Sequence, residues 1–364
     1  MNILHVYYEP AYSGITRHVG LIVEPLRKEE KHYRFFVLCS TSDERIPAYF
    51  QSLDLPVSQT RGAKYFSLSG MFKLIYFIRK WKIDIVHIHN LQSVFWANLP
   101  KIFYPRVKFI FTPQVIDFDN KTIEKYFYMI WKYFSLLSTK IVALSSEQKQ
   151  ILVQSHIKKK EDIEVIPNSV TFPEVVEDYQ PDRNELHKPY ILSIVRLVSQ
   201  KRPEMLIEIA EKVAQRHPRA FFYIAGEGPL RDDLYALIKE KKLGDKVVLL
   251  GFRTDIVDLI IHSEIILSTA SREGMPYTLL ESMALGKPAV ASNIIGHISL
   301  IENGKNGYLC KDIPEYVNRI DELLADDEKR EKMEINARRL YREHFSYPKF
   351  LQRMRNLYDG VTSG

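Results

Sequence analysis

Glu273 and Glu281 stand eight positions apart around the turn Gly274-Met275-Pro276-Tyr277-Thr278-Leu279, which the sequence places at the start of a helix. Behind them Gly286-Lys-Pro leads into an apolar strand, Ala289–Ala291. The first N–H groups of a helix have no partner inside it and attract an anion. Carboxylates on both sides of such a site are odd for a bare anion. They suit a phosphate that carries hydroxyl-rich sugars at both ends, as a nucleotide sugar does. An ionised carboxylate gains about 1.5–3 kcal/mol from each such hydrogen bond. Glu281, about one turn inside the helix, fits the vicinal hydroxyls of a ribose, and Glu273 would face a second ring. A plain alternative is acidic residues favouring a helix dipole, which leaves the flanking Gly-Met-Pro and Gly-Lys-Pro unexplained.

Other groups point the same way. Arg196 and Lys201, in Ser193-Ile-Val-Arg-Leu-Val-Ser-Gln-Lys-Arg-Pro203, lie where a strand passes into a helix. Positive charge at a helix start opposes the dipole and argues for an anionic partner. Gly14 makes a turn after the first strand, with Arg17 facing either an anionic acceptor or solvent. His89, in His87-Ile-His-Asn90, and Gln114, in Phe111-Thr-Pro-Gln, end two further strands. Gly226-Glu-Gly228 lacks the third glycine of a dinucleotide loop. Asp117-Phe-Asp119 spells a metal motif belonging to a different architecture, and no metal or cofactor is expected.

These residues need strands to carry them. Continuous apolar runs at Asn2–Tyr7, Arg34–Cys39, Asp84–His89, Lys108–Thr112 and Lys140–Leu144 alternate with helical stretches. The plan repeats at Tyr190–Val195, Ala220–Ala225, Lys246–Leu250, Glu264–Ser268 and Ala289–Ala291. Strands without in–out alternation, separated by helices, indicate parallel sheets covered on both faces. The fold class is α/β, with two doubly wound, Rossmann-like domains facing a cleft. Ligands of such sheets sit beyond the carboxyl ends of the strands. The acidic, proline-flanked segment 173–184 serves as linker between a domain at 1–175 and one at 176–345. A helix within 346–364 is placed to return to the first domain.

At 364 residues, 46% hydrophobic and 26% charged, the chain has the composition of a globular enzyme. No apolar run reaches the length of a membrane span, and the N-terminus has no basic leader. Cys39 and Cys310 are the only cysteines, so a cytoplasmic setting is expected. Residues 1–175 hold 23 Lys and Arg against 16 Asp and Glu, net +7, and the remainder 28 against 29. No nucleic-acid motif accompanies this excess. With the aromatic, basic stretches 72–82 and 126–134 it suggests peripheral contact with an anionic membrane; core packing with a polar rim is the plainer account of those helices.

The 271–292 block resembles the E-x7-E element of the large retaining glycosyltransferase family 4, of GT-B fold. Its usual form is Glu-Gly-Phe-Pro, then Glu-Ala-Met-Ala, then Gly-x-Pro-Val-Val-Ala; this chain has Met275 and Ser282 as departures. The resemblance implies that Glu281 binds the donor ribose and Glu273 the transferred sugar, with backbone N–H groups of 274–279 on sugar and phosphate. Arg196 and Lys201 match the family's G-R-L-x-x-x-K-G signature, which clamps the diphosphate; Arg202 replaces its final glycine. Gly14 matches the second glycine of a phosphate loop whose first is Ser13 here. Gly226 and Gly228 resemble a loop near the nucleotide. Gly251-Phe-Arg253 resembles one that meets the base, and Asp255 is placed to cap the next helix. On the acceptor side Arg17, His89 and Gln114 are the candidates, with Gln114 where relatives often carry a His. The activity so implied is metal-independent transfer, with retention, from a UDP- or GDP-sugar to a glycan or lipid-linked acceptor. A nucleotide-sugar epimerase and a non-catalytic sugar-nucleotide-binding partner in a glycan assembly complex are the alternatives.

Overall fold

The apolar runs pair in parallel throughout, in two separate sheets. The computed structural model describes residues 1–11, 14–30, 32–60, 67–115, 132–172 and 186–362. Readings made on Ser13, Asp117, Asp119, residues 126–131 and the linker lie outside the described residues.

The first unit comprises Met1–Asn168 and Tyr347–Gly364. Its sheet runs β3-β2-β1-β4-β5-β6-β7. The strands are β1 (Asn2–Tyr8), β2 (Arg34–Ser40), β3 (Val57–Thr60), β4 (Ile85–Ile88), β5 (Lys108–Phe111), β6 (Lys140–Ala143) and β7 (Ile163–Val165). The strand order reverses between β1 and β4, where His5 lies opposite His87. One face of the sheet buries Leu4, Val6, Val86 and Phe109 with Trp96. The other buries Ile3, Tyr7 and Phe35 under the helices Gly14–Glu29 and Tyr347–Thr362. The last helix contributes Phe350, Leu351, Met354, Leu357 and Tyr358 to that layer. Its apolar residues recur at helical spacing, so one stripe can enter the core while Arg353 and Arg355 stay outside.

The second unit, Ser169–Ser346, starts ahead of the 176 boundary read from the linker composition. Its sheet runs β10-β9-β8-β11-β12-β13. The strands are β8 (Tyr190–Ile194), β9 (Phe221–Ala225), β10 (Val247–Gly251), β11 (Ile265–Ser268), β12 (Ala289–Ser292) and β13 (Gly307–Cys310). The order reverses between β8 and β11, whose carboxyl ends lead to Arg196 and to Glu273. Strands β3, β7 and β13 were not anticipated. All three are sheet edges, where one flank is unpaired and a continuous apolar run is not required. Among the described residues no helix is long and apolar enough to cross a membrane.

Candidate functional site

The helix of the 271–292 block runs Tyr277–Ala284. Pro276, at φ −70° and ψ 131°, holds the extended entry, and no side chain caps the helix. Proline fixes φ near this value in advance. The first helical N–H groups are therefore left without a side-chain acceptor from the cap, as an anion site requires. Glu281 is on the second turn and buried. Met275 is buried as well, so the phenylalanine-to-methionine change keeps an apolar anchor under the turn.

Lys201 and Glu273 form an ion pair in the lining of a pocket that Pro276, Thr278 and Leu279 also line. Burial, with the charge of Arg196 added, pulls the Lys201 ammonium down to about 8. Glu273 opposes that shift, since a contacting carboxylate favours the charged amine. Arg196 is exposed, with no acid paired to it among the described residues. The arrangement offers two cations and an open helix start on one side, and a carboxylate within reach of the same pocket.

The loops that carry these groups are fastened to each other. Ser271 N–H donates to the Gln200 carbonyl at 2.9 Å, and Gln200 Nε2 donates to the Arg272 carbonyl at 2.8 Å. Thr269 Oγ1 donates to the Lys201 carbonyl at 2.9 Å. On the far side, a Cβ on Gly296 would lie 2.5 Å from the Glu273 carbonyl oxygen, so only glycine allows this approach. His297 beside it is wholly buried and held down to about 4 by burial, with Lys201 and Arg202 adding to the effect. Gln200, Thr269, Gly296 and His297 escaped the sequence reading because their partners are distant along the chain.

Gly226 and Gly228 have a packing role. A Cβ on Gly226, at φ +138°, would sit 1.9 Å from the Val195 carbonyl oxygen, and one on Gly228 2.3 Å from that of Leu197. The two glycines thus press their loop against the segment bearing Arg196, which Leu197 N–H joins at the Glu227 carbonyl. Asp255 occupies the N-cap of Ile256–His262 without capping it. Its carboxylate instead grips Arg253, with Nε to Oδ1 at 2.7 Å and Nη2 on Oδ2. This fork holds Asp255 below its usual range and raises Arg253.

In the first unit Gly14 opens its helix, but Ile15 and Thr16 N–H donate to the buried Glu9 carboxylate at 3.2 and 3.1 Å. The turn has fewer amides to offer a phosphate than its glycine suggests. Arg17 is half-buried on the same helix. Gln114 follows β5, half-buried, with Nε2 unpartnered among the described residues.

His89 does not face an open cleft. It is fully buried in a histidine cluster with His5, His18 and His87. His5 Nδ1 and His89 Nε2 share a hydrogen bond of 2.7 Å. The two nitrogens of His87 meet Tyr358 OH at 2.9 Å and Thr112 Oγ1 at 2.8 Å. Ring nitrogens of His5, His87 and His89 are close enough for an ion; His87 spends both of its nitrogens tying the last helix to the sheet, while His5 Nε2 and His89 Nδ1 have no partner among the described residues. Positions 5, 18, 87 and 89 are too scattered to read as a group in sequence.

Two doubly wound parallel sheets, with a cation-lined helix start at the strand ends of the second, place this chain among α/β proteins whose ligands sit beyond the carboxyl ends of the strands. Residues 12–172 match the Glycosyltransferase Family 4 profile and residues 176–340 the Glycosyl transferases group 1 profile. The chain belongs to this family of GT-B glycosyltransferases. It is 26% identical to the Escherichia coli UDP-Gal:alpha-D-GlcNAc-diphosphoundecaprenol alpha-1,3-galactosyltransferase, over 98% of this chain and 96% of that one. It is 22% identical to the Staphylococcus aureus capsular polysaccharide biosynthesis glycosyltransferase CapM, over 93% and 92%. The fold matches HepE of Anabaena, crystallised with UDP and glucose, at a TM-score of 0.82 and 19% identity, covering 99% and 100% of the two chains.

Proposed function

We propose that the chain moves a sugar, with retention, from a UDP-sugar to a hydroxyl of a glycan or lipid-linked acceptor, without a metal. The observation that carries this is the Lys201–Glu273 pair at the uncapped start of Tyr277–Ala284, with Arg196 exposed beside it. In the ligand-free chain Lys201 and Glu273 neutralise each other. A diphosphate competes for Lys201 and releases Glu273 toward the sugar. Arg196, Lys201 and the amides of 274–279 then stabilise the charge that grows on the departing diphosphate. These cations take the part a metal plays elsewhere. The diphosphate leaves from the face that the acceptor hydroxyl approaches. UDP is favoured over GDP by the donor named for the Escherichia coli relative and by the UDP bound to HepE. An epimerase would need acid and base groups at the reacting carbon, and neither Gln114 nor the buried His89 supplies one.

Glu281→Ala is expected to weaken UDP binding by roughly tenfold, the loss of about one charge-assisted hydrogen bond. Glu273→Ala should leave UDP affinity within about threefold and act mainly on turnover. Calorimetric titration with UDP and GDP, beside initial rates with a panel of UDP-sugars, separates the two roles. Equal loss of UDP affinity in both variants would contradict them.

Peripheral membrane contact is part of the proposal. Leu68, Phe72 and Tyr76 are exposed on the helix Leu68–Lys80, and Ile102 and Phe103 are exposed nearby. Lys73, Arg79, Lys80 and Arg106 are exposed among them, and Lys80 lies over the Tyr76 ring at 5.2 Å. Apolar side chains amid lysine and arginine suit an anionic bilayer surface. The chain should sediment with vesicles containing phosphatidylglycerol at low salt and be released by salt. No binding at low salt rejects this part.

A further inference from the structure

We infer that Arg202 is a positioning residue for Glu273, acting through backbone carbonyls. The inference rests on the transferase reading of this site. Arg202 sits at φ +47°, in the left-handed region, where a non-glycine residue is disfavoured. Its side chain shows what it does there. Nε donates to the Thr269 carbonyl at 2.6 Å and Nη2 to the Ala270 carbonyl at 3.3 Å. The one Thr269 hydroxyl proton is shared between the Lys201 and Arg202 carbonyls, at 2.9 and 3.0 Å.

Residues 269–276 belong to no helix or strand, so their course depends on such side contacts. Arg202 holds the near end of the segment as it leaves β11. Ser292 Oγ donates to the same Ala270 carbonyl, and Gly296 backs the 273–274 carbonyls. Glu273 thus projects from a strap pinned at both ends. Lys201 does not need the Arg202 side chain, because its own N–H is fixed to the Val198 carbonyl at 2.9 Å. Loss of the guanidinium should therefore loosen Glu273 and spare the diphosphate clamp.

The test uses Arg202→Gly, Arg202→Lys and the full-length wild type. Glycine accepts the left-handed backbone, so Arg202→Gly should fold with a melting temperature close to wild type. Its kcat is expected to fall by about 10- to 100-fold, the scale of a small misplacement of a reacting group. The UDP dissociation constant should stay within about threefold, since the diphosphate contacts remain. Arg202→Lys should recover part of the loss, and millimolar guanidinium ion should raise kcat of Arg202→Gly but not of wild type. Amide hydrogen exchange over 270–275 should quicken in Arg202→Gly while 196–201 stays unchanged. Unchanged kcat, or UDP affinity lost in step with kcat, would overturn the inference. So would a melting temperature that collapses with activity and resists guanidinium. A wild type inert toward every UDP-sugar would defeat the transferase reading itself, and the regional exchange pattern then decides whether Arg202 holds the strap.

Discussion

Lys201→Met is expected to lower kcat/KM by about 10²- to 10³-fold, the usual cost of losing one preorganised donor to a developing oxyanion. Methionine keeps the apolar stem in place while removing the charge. The size of the effect follows from burial: the Lys201 side chain is only 21% exposed, and a charge shielded from water acts more strongly on its neighbours. The ligand-free chain should also change, because Glu273 loses its partner. Adding Glu273→Gln to Lys201→Met should therefore restore part of the lost stability without restoring activity. A pH profile provides a second check. Lys201 is pulled down to about 8 by burial and Arg196, and the charged form is the one that clamps a diphosphate. The kcat/KM of wild type should decline as pH rises through about 8, because this parameter follows the free enzyme. Lys201→Arg stays charged far above that range and should lose the alkaline limb. An identical limb in wild type and Lys201→Arg would assign the titration to another group.

Acid should unfold the first unit well before the second. Burial, followed by the mutual charge of the rings, holds His5 to about 3 and keeps His87 and His89 well below 6.5. Burial holds His18 to about 4, against a partial rise from Asn168. In the unfolded chain each imidazole takes up its proton near pH 6.5. Between that pH and the native values the unfolded state binds more protons, so stability falls as pH falls. It is fully present only above about 7. Each histidine costs about 1.4 kcal/mol per pH unit in this window, and four together about 5.6 kcal/mol over one pH unit. That rivals the whole stability of an ordinary domain, about 5–15 kcal/mol. Trp81, Trp96 and Trp131 all lie before residue 169, so tryptophan fluorescence reports on this unit alone. Its acid transition should fall near pH 5, and His18→Leu should move the midpoint lower. Native fluorescence persisting at pH 4 would show that the cluster does not carry this liability.

Much of the fold was legible because the strands of both sheet centres are continuous apolar runs, a pattern that follows from burial on two faces. The edges were not. Val57–Thr60 and Ile163–Val165 carry polar residues that an edge position tolerates, and nothing local marks them. The donor-side elements were legible for a similar reason: Glu273, Pro276, Glu281, Arg196 and Lys201 each lie beside their own turn or helix start. Their mutual pairing was not, since Lys201 and Glu273 are 72 residues apart.

By itself, then, the sequence determined which residues stand at the strand ends, because local chain chemistry governs turns, helix starts and apolar runs. Tertiary structure alone decided what they meet. It put Arg202 on two carbonyls, turned Gly226 and Gly228 toward neighbouring backbone, and gave the Asp255 carboxylate to Arg253. It also withdrew His89 from solvent into a cluster drawn from two strands and a helix, and used His87 to bind a helix that begins at Tyr347. The physical reason is the same in each case. Hydrogen-bond donors and buried charges must find partners, and which partners arrive depends on how distant segments pack.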